Sequence, residues 1–378
     1  MSATLPKIII AFRTLVASFI ARSERGIAIY VCRETGTTEG TTYIDHPTTI
    51  EEVSEATDLS AWSNANAARI ADMIEMNPAK VVVVTIDTNA EFSEATDIIE
   101  LTYPSGRVTV VGSADQAALV TWAKAKKCYH ALVFSKTRPD SRYVENVYNQ
   151  NIIWSPDWDG ARTQQGTLVR SETTSEELLP MLCAILSRAN VNGASSKVIR
   201  ALKSVTDVSS PDDVVNAGNI IVYNDWSGSD RVVRLGTCVN TLVTFDPTAN
   251  NGDQIEDMRY IEVSEAADMI RADITAVFRD NYSGQMKNSV DNQMMLLGAI
   301  GDYYDGLEKE DILNGASGST VEIDVDAQRA AWMTVNPDAS GWDDDTVKSK
   351  PFKRKVFIKS NIQILQSMQD LNMQITLD

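Results

Sequence analysis

The sequence predicts an α/β fold that becomes α+β toward its C-terminal end, with a parallel-type α/β outer domain, a mixed second domain and extended strand arms at both termini. Three observations carry that expectation. Between residues 80 and 150, short apolar runs alternate with helical stretches, which favours a parallel sheet with helices on its faces. After residue 260 longer helical periods take over. The chain ends are strand-like, and the last 28 residues alternate with the two-residue period of half-buried strands.

Residues 1–22 read as an arm, with Leu5 and Pro6 leading into a strand-like run at 7–12 that carries Lys7, Ile8, Ile10 and Phe12. The first strand of the globular body is expected at 26–32. A Thr- and Gly-rich loop at 35–42 leads to a helix at 60–76, which ends before Pro78. The alternating region reads as strand 80–86, helix 91–101, strand 107–111, helix 115–127, strand 131–135 and helix 140–148. A strand at 152–154 and a helix at 175–188 complete an outer domain of 23–190. After a Gly/Ser-rich link at 192–196, the segments 220–223 and 231–235 pair as a hairpin whose connection contains Gly228. Helices at 262–279 and 288–305, a strand at 320–324 and a helix at 325–334 build the second domain, 191–350.

Residues 351–378 form the C-terminal strand arm. Ile358, Ile362 and Ile364 alternate with Lys359, Asn361 and Gln363. Past a linker at 365–370 the parity switches, and Leu371, Met373, Ile375 and Leu377 alternate with Asn372, Gln374 and Thr376. Two half-buried strands are expected, with the linker as hinge. The pattern suits an edge hairpin packed in its own domain, or strands donated to a neighbour's open sheet edge.

At 378 residues the chain exceeds the size at which one core usually stops growing. Its 43% hydrophobic and 23% charged residues are those of a folded body. The net charge of −18 repels nucleic-acid backbones and anionic membranes. Lys348, Lys350, Lys353, Arg354, Lys355 and Lys359 nevertheless form a run free of acids, directly after Asp338, Asp343, Asp344 and Asp345. That run is either a solvated face or a contact surface for an acidic neighbour.

Cys32, Cys128, Cys183 and Cys238 are widely spaced and read as reduced core thiols. The apolar stretch 8–21 is interrupted by Arg13 and followed by Arg22, Glu24 and Arg25, so neither a signal peptide nor a bilayer span is expected there. Folding in a cytoplasm follows. The turns after Ile86 and Val111 lack the glycines of a phosphate cradle, and no Walker-type loop occurs. His130 has no nucleophile elbow near it and is read as structural; the carboxylates Glu322, Asp324 and Asp326 follow no calcium-loop spacing. Trp154 and Trp158 suit either core packing or an interface. No catalytic, cofactor-binding or metal-binding residue is assigned.

An ordered series of motifs then resembles the contractile tail sheath proteins of myophage-type bacteriophages and of phage-tail-like (R-type) bacteriocins. Residues 5–12 (LPKIIIAF) and 24–28 (ERGIA) are similar to the start of such a sheath protein. Residues 238–244 (CVNTLVT) are similar to its G-V-N-S-L-T-T segment, with Cys238 where glycine is usual. Residues 258–263 (MRYIEV), 268–270, 273–274, 278–284 (FRDNYSG), 321–324 (VEID) and 356–377 continue the likeness, while 35–200 match loosely.

The resemblance implies a structural, non-enzymatic subunit with a sheath core domain at 191–350. It would polymerise as stacked hexameric rings around an inner tail tube protein, linked by exchanged terminal strands, and contract to drive the tube through a cell envelope. Baseplate and tail terminator proteins are the other implied partners; nucleic acid, membrane insertion and cofactors are not. Arg271, Arg279, Lys348, Lys350, Lys353, Arg354 and Lys355 are the candidate tube contacts. Assembly in a bacterial host cytoplasm and residence in a virion tail or extracellular particle follow from the same likeness. An α/β nucleotide- or metal-binding enzyme, or another self-assembling shell protein, stands as the alternative.

Overall fold

In the computed structural model, which describes residues 25–34, 47–50, 59, 62–135, 138–160, 172–226, 231–246, 248 and 252–375, strand β1 (Ile27–Glu34) lies inside the main sheet. Its side chains alternate between two cores, as a period of two requires. Ala28, Tyr30 and Cys32 enter one core; Ile27, Ile29 and Val31 enter the other. Because both faces are covered, the strand reads as a continuous apolar run.

The elements that follow are β2 (Pro47–Ile50), α1 (Asn64–Glu75), β3 (Lys80–Asp87), α2 (Phe92–Thr102), β4 (Gly106–Val110), α3 (Ser113–Lys126), β5 (Tyr129–Val133) and β6 (Val144–Val147). Helix α1 supplies Ile70, Met73 and Ile74 to the core of Tyr30, whereas α2 and α3 supply Phe92, Ile99 and Leu119 to the core of Ile29. A capping box between Glu91 and Glu94 starts α2, and Lys127 in the left-handed region (φ +58°) ends α3.

Next come β7 (Asn151–Trp154), α4 (Pro156–Gly160), β8 (Glu172–Thr174), α5 (Leu179–Ala189), β9 (Leu202–Val205), α6 (Pro211–Asn216), β10 (Asn219–Ile220), β11 (Val222–Asp225) and β12 (Val232–Leu235). Strand order in the main sheet is β10-β6-β5-β4-β1-β3-β2, parallel throughout except for the antiparallel pair of β2 with β3. The parallel sheet expected from the alternation is therefore present. Helix α5 is buried along nearly its whole length against α1, β1 and β4. Strands β7, β8 and β9 form a three-stranded sheet, and β11 with β12 forms the expected antiparallel hairpin.

One expected element is corrected. Residues 140–148 are not a helix but contain strand β6, which adds to β5 in parallel. Their spaced charges imitate a helix with a polar face, yet Arg142 and Glu145 are buried and bonded inward.

The chain continues with α7 (Ile261–Val277), a π-helical turn at Phe278–Tyr282, α8 (Val290–Lys309), β13 (Thr320–Ile323), α9 (Val325–Met333), α10 (Asp344–Lys348) and β14 (Ile358–Asn361). By contacts its described residues divide into two units, one up to Met269 together with 364–375, the other Ile270–Gln363. The first cut falls inside α7, a different division from the sequence-based one at 190/191. In Ile270–Gln363 the core is built by Leu296, Ile300, Leu307, Leu313 and Ile323. There Asp273 accepts a 2.7 Å hydrogen bond from the Tyr303 hydroxyl, and buried Gln328 donates to the carbonyl of Val347.

Cys32, Cys183 and Cys238 are buried and free, and burial pushes each thiol up to about 12; Cys128 is half-buried and free. Trp154 is buried, with its indole N–H on Thr173 Oγ1, and half-buried Trp158 donates to Asp72.

Candidate assembly site

Strands β13 and β14 pair antiparallel, with Ile323 opposite Ile358 on the inner face and Glu322 opposite Lys359 on the outer. The outer pair is an ion pair of 3.2 Å, a cross-strand arrangement that fixes register. No further strand joins this two-stranded sheet among the described residues. A ladder of two strands is marginal in water and leaves backbone groups on both outer edges open to another strand.

Ile358, Ile362 and Ile364 are half-buried while Lys359, Asn361 and Gln363 are exposed, so the alternation read from the sequence is real. Beyond it the structure departs from expectation. Residues 371–375 form no strand, and Leu371, Met373 and Ile375 are 87%, 66% and 68% exposed. Among the described residues no sheet edge receives 371–375, and the second half-buried strand is not formed there. Lys7, Ile8, Ile10, Phe12 and Leu377 lie outside the described residues.

Lys350, Lys353, Arg354 and Lys355 are exposed and Lys348 is half-buried, around the turn between α10 and β14. None of the five makes an ion pair among the described residues. Aromatic rings shape the turn: Lys350 lies over Trp342 and Lys353 over Phe352, and Asn288 donates to the carbonyls of Lys353 and Lys355. The candidate contacts on α7 and its π-turn differ. Arg271 is exposed, whereas Arg279 is paired with its neighbour Asp280 at 2.7 Å and its charge is already matched.

The first half of α7 is tied to the main sheet by a buried charge network that spacing does not reveal. Arg107 on β4 donates to Glu145 on β6 at 2.7 and 2.9 Å, and to Glu265 on α7 at 2.7 Å. His130 on β5 sits between Asp268, 3.2 Å from Nε2, and Glu145, 3.5 Å from Nδ1. Arg142 bonds Asp268, Asp253 and the Ser264 hydroxyl.

Charge in this network is mutually enforced. Burial works to lower the His130 pKa, but Glu265, Asp268 and Glu145 outweigh it and hold the imidazole at about 9. Burial works to raise Glu145, and Arg107 with His130 holds it at about 2. Asp268 is likewise held low against burial, by His130 and Arg142. His130 is thus a buried cation held between two carboxylates, Asp268 and Glu145. Among the described residues, no group of His, Cys, Asp and Glu is arranged to hold a metal ion, and no helix is long and apolar enough to cross a membrane.

Residues 253–378 match the phage tail sheath C-terminal domain. Over 383 aligned residues the chain is 22% identical to a tail sheath protein of Clostridium phage phiCD119 (strain Clostridium difficile/United States/Govind/2006), covering 99% of each. It is similar in structure to the anti-feeding prophage (AFP) helical sheath in the contracted state, with a TM-score of 0.66, 14% identity and 100% of both chains covered. The sheath of an extracellular contractile injection system (PVC), also contracted, gives a TM-score of 0.65 at 11% identity, over 100% of this chain and 99% of the other.

Proposed function

We propose, on the premise that residues 253–378 are a phage tail sheath C-terminal domain, that this chain is the structural subunit of a contractile tail sheath. It polymerises as a sheath, in a phage tail or an extracellular contractile particle. The fuller reading is of stacked hexameric rings around an inner tube, bounded by baseplate and terminator proteins and joined by terminal strands that each subunit gives to a neighbour. Such an assembly needs no catalytic residue. Its stored energy lies in packings that are bistable, and contraction is a rigid-body rearrangement of subunits whose arms keep them joined.

The C-terminal tail supports this reading best. Three large apolar side chains at alternating positions stand in water in the C-terminal tail, and the two-stranded sheet of the same chain is joined by no third strand among the described residues. A strand added to such an edge gains its backbone ladder and buries one apolar face. Electron microscopy of the purified chain is expected to show tubes or rings. A chain ending at Asp370 is expected to fold and remain unassembled; normal tubes from it would refute the donated tail.

The tube-facing surface is assigned to the basic turn. Reversing Lys350, Lys353, Arg354 and Lys355 to glutamate should weaken association with the tube, with an effect that shrinks as salt rises. Reversing Arg279 should matter less, since Asp280 already neutralises it.

A further inference from the structure

We infer that Glu262 is a positioning residue that latches the root of the C-terminal tail at Ser367, so that the free run of the tail begins at Met368. This rests on the reading that the tail is donated. Glu262 is 6% exposed, an unusual place for a carboxylate without a dedicated partner. It lies in the first turn of α7, where the helix dipole favours negative charge. Its Oε1 accepts two hydrogen bonds from one residue of the tail, the Ser367 N–H at 3.1 Å and the Ser367 hydroxyl at 3.2 Å. Within 366–375 these are the hydrogen bonds made among the described residues.

The surroundings are shaped to the latch. Gly193 has a φ of +70°, and a Cβ there would stand 2.2 Å from Glu262 Oε2 and 3.0 Å from Ser367 Oγ. Only glycine leaves room for carboxylate and tail together. On either side of the latch the tail changes character: Ile364 and Leu365 are half-buried, while 368–375 are exposed throughout and Met368 has no cover at all. The expected hinge at 365–370 is therefore divided, with its first part held and its second part free to turn. A fixed root limits the directions the tail can search, which lowers the entropy lost when it pairs with another copy.

Hydrogen–deuterium exchange on the dilute, unassembled full chain tests this. The Ser367 amide is expected to exchange about tenfold more slowly than the amides of 371–375, the factor a charge-assisted hydrogen bond provides. Glu262→Ala should abolish the difference, and Glu262→Gln should keep most of it, since the amide oxygen still accepts. Ser367→Pro, at an exposed position, removes both donors without touching the core; it should raise the concentration needed for tubes several-fold while leaving Tm unchanged. Equal exchange at Ser367 and 371–375 in the wild-type chain would overturn the latch, as would unaltered assembly of Ser367→Pro. If the chain ending at Asp370 is assembly-dead while Ser367→Pro assembles normally, the latch fails and the donated tail stands.

Discussion

Glu145 is wholly buried and yet ionised, because Arg107 and His130 stand against it. Removing it leaves two buried cations short of a partner, a change that typically costs about 3–5 kcal/mol. Glu145→Ala should therefore lower the unfolding free energy by that amount, with chemical denaturation as the check. The pH response has two limbs. His130 is held at about 9 against an ordinary 6.5, so its contribution is complete below 6.5 and is lost as pH rises through 9. Glu145 is held at about 2 against an ordinary 4.5, so its contribution is complete above 4.5 and is lost as pH falls through 2. These two groups stabilise most between 4.5 and 6.5. His130→Gln should flatten the alkaline limb of a stability-against-pH curve and also shrink the acid limb, since Arg107 alone of the two cations is then left to hold Glu145 low.

At the scale of elements, the tail and the β13–β14 pair make opposite demands on a substitution. Met373 and Ile375 are exposed, so Met373→Asp or Ile375→Asp should change subunit stability by no more than about 0.5 kcal/mol. The same changes should abolish tubes, because a donated strand must bury that face; normal tubes from either variant would refute the idea. In β13, Glu322→Lys sets like charges directly opposite Lys359 and should loosen the pair, seen as faster amide exchange at 320–323 and 358–361. Strands β1, β3, β4 and β5 and the helices between them were legible as short, mainly apolar runs alternating with helical periods, whereas β2 was not expected, its four residues PTTI being too short and too polar to stand out. Strand β6 was not, since its inward charges imitate a polar helix face. The final tail was half legible: its alternation was visible, but whether one chain buries it was not.

For the whole molecule, the net charge of −18 makes copies repel one another, while the acid-free turn at 348–359 carries the opposite sign. Salt should then act in two directions. Raising ionic strength should favour self-assembly by screening the repulsion, and should weaken the proposed contact of the basic turn with an inner tube by screening the attraction. Sedimentation of the chain with and without tube protein across a salt series checks both trends.

Local order needs only local information, and the sequence carried it: the periods of strand and helix, the absence of a phosphate cradle, and the alternating chain end are all properties of neighbours along the chain. The parallel stack of β1, β3, β4 and β5 follows from them once helices must cover both faces. What tertiary structure decided is which distant polar groups meet. Arg107 finds Glu145 and Glu265 at 38 and 158 residues' distance, and Ser367 finds Glu262 at 105. A buried charge is tolerable only beside its partner, and partners brought together by chain reversal leave no spacing to read. The same holds for the tail, whose apolar face is a sequence property but whose exposure depends on every sheet edge in the fold.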